Sequence, residues 1–145
     1  MDWNSSFAIS AAGMRVEQTR FDIAALNLAN ANSIASRGGE VFRPLSAVLG
    51  SSKRFALQIQ NEQNLVAIPT PFVQAVVEQN VTPRRVLDPG NPNADDKGFV
   101  IMPGVNSTFE MLNIVTSLRA YESNVVAMLA AKSMAQKALE IGSGS

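Results

Sequence analysis

The sequence predicts a mainly α fold with a small β middle. Two long terminal helices should pair antiparallel as a coiled coil around a Pro/Gly-rich centre of short antiparallel strands and loops. Three observations carry this. All seven prolines and six of the nine glycines fall between residues 38 and 104. Both flanks are free of proline, the strongest helix breaker. The flanks also carry apolar residues at helical spacing, whereas the middle alternates. The division is 1–33 for an N-terminal helical arm, 34–104 for the centre and 105–145 for a C-terminal helical arm, the two arms together forming one coiled-coil domain.

The N-terminal arm starts at the capping types Asn4, Ser5 and Ser6 and runs to about Asn30. On a helical projection it carries two apolar stripes about 150° apart. One holds Phe7, Ala11, Met14, Phe21, Ala25 and Leu28, and the other Ile9, Ala12, Val16, Ile23 and Leu26. A helix resting on a globule needs one stripe, so two nearly opposite stripes imply two partners. Phe7, Met14, Phe21 and Leu28 are assigned to packing within the subunit. Ile9, Val16, Ile23 and Leu26 are assigned to packing between subunits; the pattern alone equally allows the two roles to be exchanged.

The middle offers strand candidates at 54–60, 72–81, 84–87 and 98–102. Pro69 and Pro71 place the second at an edge. The stretch 36–40, SRGGE, reads as a loop tip. The run DPGNPNADDKG at 88–98 reads as a rigid double turn in which Pro89 and Pro92 set φ. Asn91, Asn93 and Asp95 share the spacing of a calcium loop. However, Asp96 stands where that loop needs glycine and Met102 where it needs glutamate, so no ion site is assigned.

The C-terminal arm opens on Ser107-x-x-Glu110, the pattern of a capping box, and closes near Gly142, a helix-stop type. Met111, Ile114, Leu118, Tyr121, Val125, Met128, Lys132, Ala135 and Leu139 follow a 3-4 spacing through the arm. All of these except Lys132 and Ala135 are assigned to the intrasubunit seam. At 1.5 Å per residue the two arms would measure roughly 40 and 50 Å, too long to be walls of one small core.

Composition excludes several function classes. The 12 basic and 12 acidic residues cancel, which argues against nucleic acid or an anionic membrane held by bulk charge. There is no Cys and no His, so thiol nucleophiles, imidazole acid–base chemistry and the usual zinc sites are absent. No phosphate-binding glycine loop or nucleophile elbow occurs. No catalytic residue, cofactor, metal ligand or small-molecule substrate is assigned, and the chain is expected not to be an enzyme. The N-terminus has neither a basic n-region nor an apolar h-region, and no apolar run reaches the ~18–20 residues of a membrane span, so neither a cleaved signal nor membrane insertion is expected.

Three stretches together resemble a known family. LNLANANS at 26–33, with Asn27, Leu28, Ala29 and Asn30, is similar to the motif that closes the first helix of flagellar axial proteins of rod, hook and filament-junction type. EMLNIVTSLRAYESNV at 110–125, with Arg119, Tyr121, Glu122 and Asn124, resembles their C-terminal counterpart. The segment 88–106, through Pro89, Asn91, Pro92, Ala94, Asp95, Gly98, Phe99, Val100, Pro103 and Val105, is similar to the proximal-rod members of the flagellar basal-body rod proteins. The resemblance implies a structural subunit of the proximal rod, polymerising through its terminal helices into a helical, torque-transmitting tube. It implies as partners further copies of itself, other rod proteins in a hetero-polymer, and the flagellar type III export apparatus, with a periplasmic location in the basal body. A different axial rod or junction subunit, or a coiled-coil scaffold or secretion-associated protein, is the alternative.

Overall fold

The computed structural model describes residues 3–52 and 69–143. The elements run α1 (Trp3–Asn30), β1 (Leu45–Ser52), β2 (Thr70–Glu78), β3 (Arg84–Leu87), β4 (Phe99–Met102) and α2 (Ser107–Ser143). The expected architecture of two long helices around a small β middle is therefore present. The strand candidate at 54–60 lies outside the described residues.

Two compact units divide these elements. One contains residues 1–19, 49–74 and 117–145, and the other 20–48 and 75–116. In the first, the buried side chains are small: Ser5, Ser10, Ala12, Val16, Ser117 and Ala131. Gly13 of α1 lies against Asn124 of α2, so close that a Cβ there would sit 2.6 Å from the Asn124 side-chain oxygen. The Asn124 amide is held in place by donating to the Ala120 carbonyl at 2.9 Å.

In the second unit Val100, Pro103, Val105, Ala24 and Ala31 are buried together with the polar Asn27 and Glu110. Asn27 of α1 contacts Glu110 of α2 at 3.2 Å.

β1 and β2 form a two-stranded sheet. Gln79 N–H donates to the Pro44 carbonyl at 2.7 Å near one end, and Gly50 faces Phe72 at the other, so the strands run antiparallel. β2 spans 70–78 instead of the expected 72–81, and β1 was not among the sequence candidates. Its LSAVLGSS run alternates poorly and holds a glycine and three serines, which weakens any strand signal. β3 and β4 pair antiparallel with Arg84 opposite Met102 and Leu87 opposite Phe99. The Arg85 guanidinium stacks over the Phe99 ring at 4.8 Å, a diagonal cross-strand contact.

The helix ends differ from expectation. The N-cap of α2 is Asn106, whose side-chain oxygen accepts from Phe109 N–H at 3.2 Å. Ser107 is already helical, and Glu110 does not reach back to close a capping box because its carboxylate is engaged by Asn27 and Asn113. Gly142 lies within α2 and lacks the positive φ of a C′ stop, which only Gly38 and Gly98 among the described glycines adopt.

Gly104 marks the tightest backbone approach. A Cβ there would lie 2.4 Å from the Thr82 carbonyl oxygen. Gly104→Ala should destabilise the chain by at least about 2 kcal/mol through forced separation of the backbones. Gly142→Ala, with nothing within 4 Å of the added methyl, should be neutral or stabilising by up to about 1 kcal/mol. Urea unfolding of the two variants side by side tests both.

Candidate assembly surface

Burial separates the faces of the two helices, and the division runs against side-chain size. On α1, of the residues expected to meet neighbours, Val16 is 4% exposed and Ile9 and Ile23 are half-buried. Phe21, expected inside, is exposed, and Phe7, Met14 and Leu28 are only half-buried. Leu26 is exposed.

On α2 the buried positions are Glu110, Ser117 and Ala131 with half-buried Asn124, a heptad series one residue ahead of Met111, Leu118, Val125 and Lys132. One residue is a rotation of about 100°. Met111, Leu118, Tyr121 and Leu139, expected in the intrasubunit seam, are exposed, while Ile114, Val125 and Met128 are half-buried.

The physical reason is interhelical distance. Where Gly13 meets Asn124, the helices approach too closely for a methionine, leucine or phenylalanine between them. Large apolar side chains are turned out instead. Met111, Val115, Leu118, Val126 and Leu129 are each at least 45% exposed and, bridged by Glu122, trace a 3-4 spaced stripe opposite the seam.

The first helix motif explains itself through Asn27. Its amide nitrogen donates to the Leu45 carbonyl at 2.9 Å and to Glu110 Oε1 at 3.2 Å, and its oxygen accepts from Leu45 N–H at 2.8 Å. Every polar atom of this 1%-exposed side chain is used. Asn113 donates to the other Glu110 oxygen at 3.3 Å, and Gln79 Nε2 donates to the Leu45 carbonyl at 3.3 Å. Asn30 donates back to the Leu26 carbonyl, and the Ser33 hydroxyl and N–H both bond the Asn30 carbonyl, closing α1. Leu28 is half-buried and Ala29 exposed.

The middle motif is a chain of three turns. Asn91 N–H bonds the Asp88 carbonyl, Ala94 N–H that of Asn91, and Gly98 N–H that of Asp95. Pro89 and Pro92 each occupy the second position of their turn, where a fixed φ near −65° is needed. Gly98 has φ +78°, so the third turn requires glycine. The Asp95 carboxylate accepts from Lys97 and Phe99 N–H at 2.9 Å each and pairs with Arg85. These contacts, led by the Phe99 amide, hold its pKa below the usual aspartate value. Asp96 pairs with Arg37. Among the described residues no group of three or more acidic side chains gathers to hold a metal ion.

The last motif divides by role. Asn124 fills the close approach to Gly13, while Arg119 and Glu122 are exposed with no ion-pair partner among the described residues.

Comparison with known proteins gives consistent matches. Residues 96–141 match the family model described as flagellar basal body rod FlgEFG protein C-terminal. The flagellar basal-body rod protein FlgC of Escherichia coli O6:H1 is 34% identical over 94% of this chain and 95% of its own length. That of Bacillus subtilis strain 168 is 34% identical over 94% and 96%, and that of Aquifex aeolicus 31% over 97% of each.

Asn27→Ala would leave the Leu45 amide and the Glu110 carboxylate without their buried partner, and should cost about 3 kcal/mol by urea unfolding. Asp95 has a depressed folded pKa, so its contribution is present above the unfolded value, near 3.9, and is lost as pH falls through the folded value. The protection of the Phe99 amide relative to its intrinsic exchange rate should therefore fall on acidification below that point, and Asp95→Asn should flatten the dependence.

Proposed function

The chain belongs to the family of flagellar basal-body rod proteins FlgC, and from that premise we propose that it polymerises through the outward faces of its two long helices. It is a structural subunit of the basal-body rod and not an enzyme. The observation that carries the polymerisation reading is the exposed stripe Met111, Val115, Leu118, Val126 and Leu129 on α2, matched by Phe21 and half-buried Phe7, Met14 and Leu28 on α1. An exposed apolar stripe along a helix marks an interaction face. Burying each large side chain contributes about 1.5–3 kcal/mol, so a few per contact, repeated over neighbours, stiffen a tube.

Contacts between different faces of identical subunits do not close on themselves and propagate as a helix. The antiparallel coiled coil of α1 and α2 is the strut of each subunit, with its small-residue seam inside and its large residues toward neighbours. Those neighbours are copies of the chain and other rod proteins. The subunit reaches the periplasm through the flagellar type III export apparatus.

The seam buries little apolar surface, so neighbours supply much of what orders the helix ends. Dilute monomer should therefore show less helix by circular dichroism than α1 and α2 at full length require. Full helicity with a cooperative melt would contradict this. Leu118→Asp, on the outer stripe, should leave monomer stability within about 0.5 kcal/mol of the parent yet abolish rod assembly and swimming. Normal swimming by cells carrying it would remove the outer-stripe reading.

A further inference from the structure

The polymerisation reading leaves open which residues of neighbouring copies meet, and the first unit offers one pairing. A cavity of about 200 Å³ lies between α1 and β2, lined by Ala12, Arg15, Val16, Thr19, Phe72 and their neighbours. Its floor is apolar, and Arg15 is the charged group at its edge. A cavity of about 150 Å³ with such a lining holds a benzene molecule, so this one has room for one aliphatic side chain.

Arg15 and Glu122 are opposite charges, both exposed, and neither has an ion-pair partner among the described residues. They stand at the same level of the helix pair. Arg15 is two residues beyond Gly13, and Glu122 is two residues before Asn124, the residue Gly13 touches. Yet they cannot meet within the chain. On helical projections Arg15 is turned about 160° from Gly13 and Glu122 about 160° from Asn124, in opposite senses, so they occupy opposite outer flanks of the antiparallel pair. One turn after Glu122, on the same flank, Val126 is 65% exposed.

Charges of opposite sign on opposite flanks at one level are complementary under a sideways repeat. We infer that Arg15 of one copy pairs with Glu122 of the next, whose Val126 enters the cavity beside Arg15. The partner is a second copy of this chain. The contact joins two different faces, so it propagates rather than closing a dimer. The inference rests on the polymerising reading above and assigns one lateral contact within it.

The chain contains no cysteine, so introduced thiols are the only ones. Arg15→Cys combined with Glu122→Cys, expressed in place of the resident protein in swimming cells, should give a disulfide-linked species at twice the 15.5 kDa subunit mass when isolated basal bodies are mildly oxidised. Either single variant should not. Separately, Arg15→Glu and Glu122→Arg should each cut swimming at least tenfold, and their combination should restore most of it. Swimming cells that yield no link, or a link only to a protein of different mass, would overturn the contact while leaving the rod-subunit reading standing. A charge-swapped double variant no better than either single one would overturn it as well.

Discussion

A single buried side-chain amide joins three separate parts of the chain. Asn27 takes both backbone groups of Leu45 and one oxygen of Glu110, tying α1 to the start of β1 and to the first turn of α2. A buried amide is stable only when all its hydrogen bonds are met. None of the three segments can therefore move independently without orphaning a polar group. A leucine at this position would bury more apolar area but would specify neither the strand's entry point nor the helix register. The polar residue exchanges some hydrophobic gain for definition of a single arrangement.

The seam between the helices follows the same logic. Gly13 against Asn124 permits close approach at that point. Close approach then leaves no room for the large apolar residues, which are displaced to the outside. Under the polymerisation proposed above, internal pairing would define geometry while the larger hydrophobic contribution would be kept for contacts that form on assembly. The Ser117 hydroxyl, buried without a hydrogen-bond partner, is consistent with a seam selected for fit more than for stability.

The loop 88–98 positions β4 by a different means. Three consecutive turns, two begun by proline and one ended by a left-handed glycine, fold eleven residues back on themselves between β3 and β4. Proline and glycine act here on the unfolded ensemble as well as the folded one: each reduces the conformations lost or supplies the one conformation required. The carboxylate of Asp95 then satisfies two amides that the sharp chain reversal leaves without strand partners.

Much of this was legible in the residues alone. Proline and glycine placement delimits the helices, β3 and β4 follow from alternation, and the proline turns follow from local chemistry, because each depends on residues adjacent in the chain. Family membership was legible too, from the motifs at 26–33, 88–106 and 110–125. The direction each helix faces was not. Helical periodicity reports how apolar residues are distributed around an axis, and it favours the stripe with the largest side chains. Which residues turn inward depends on contacts between residues more than eighty positions apart, such as Gly13 with Asn124 and Asn27 with Glu110. Those contacts exist only once the chain has folded, and at short range steric volume outweighs hydrophobicity.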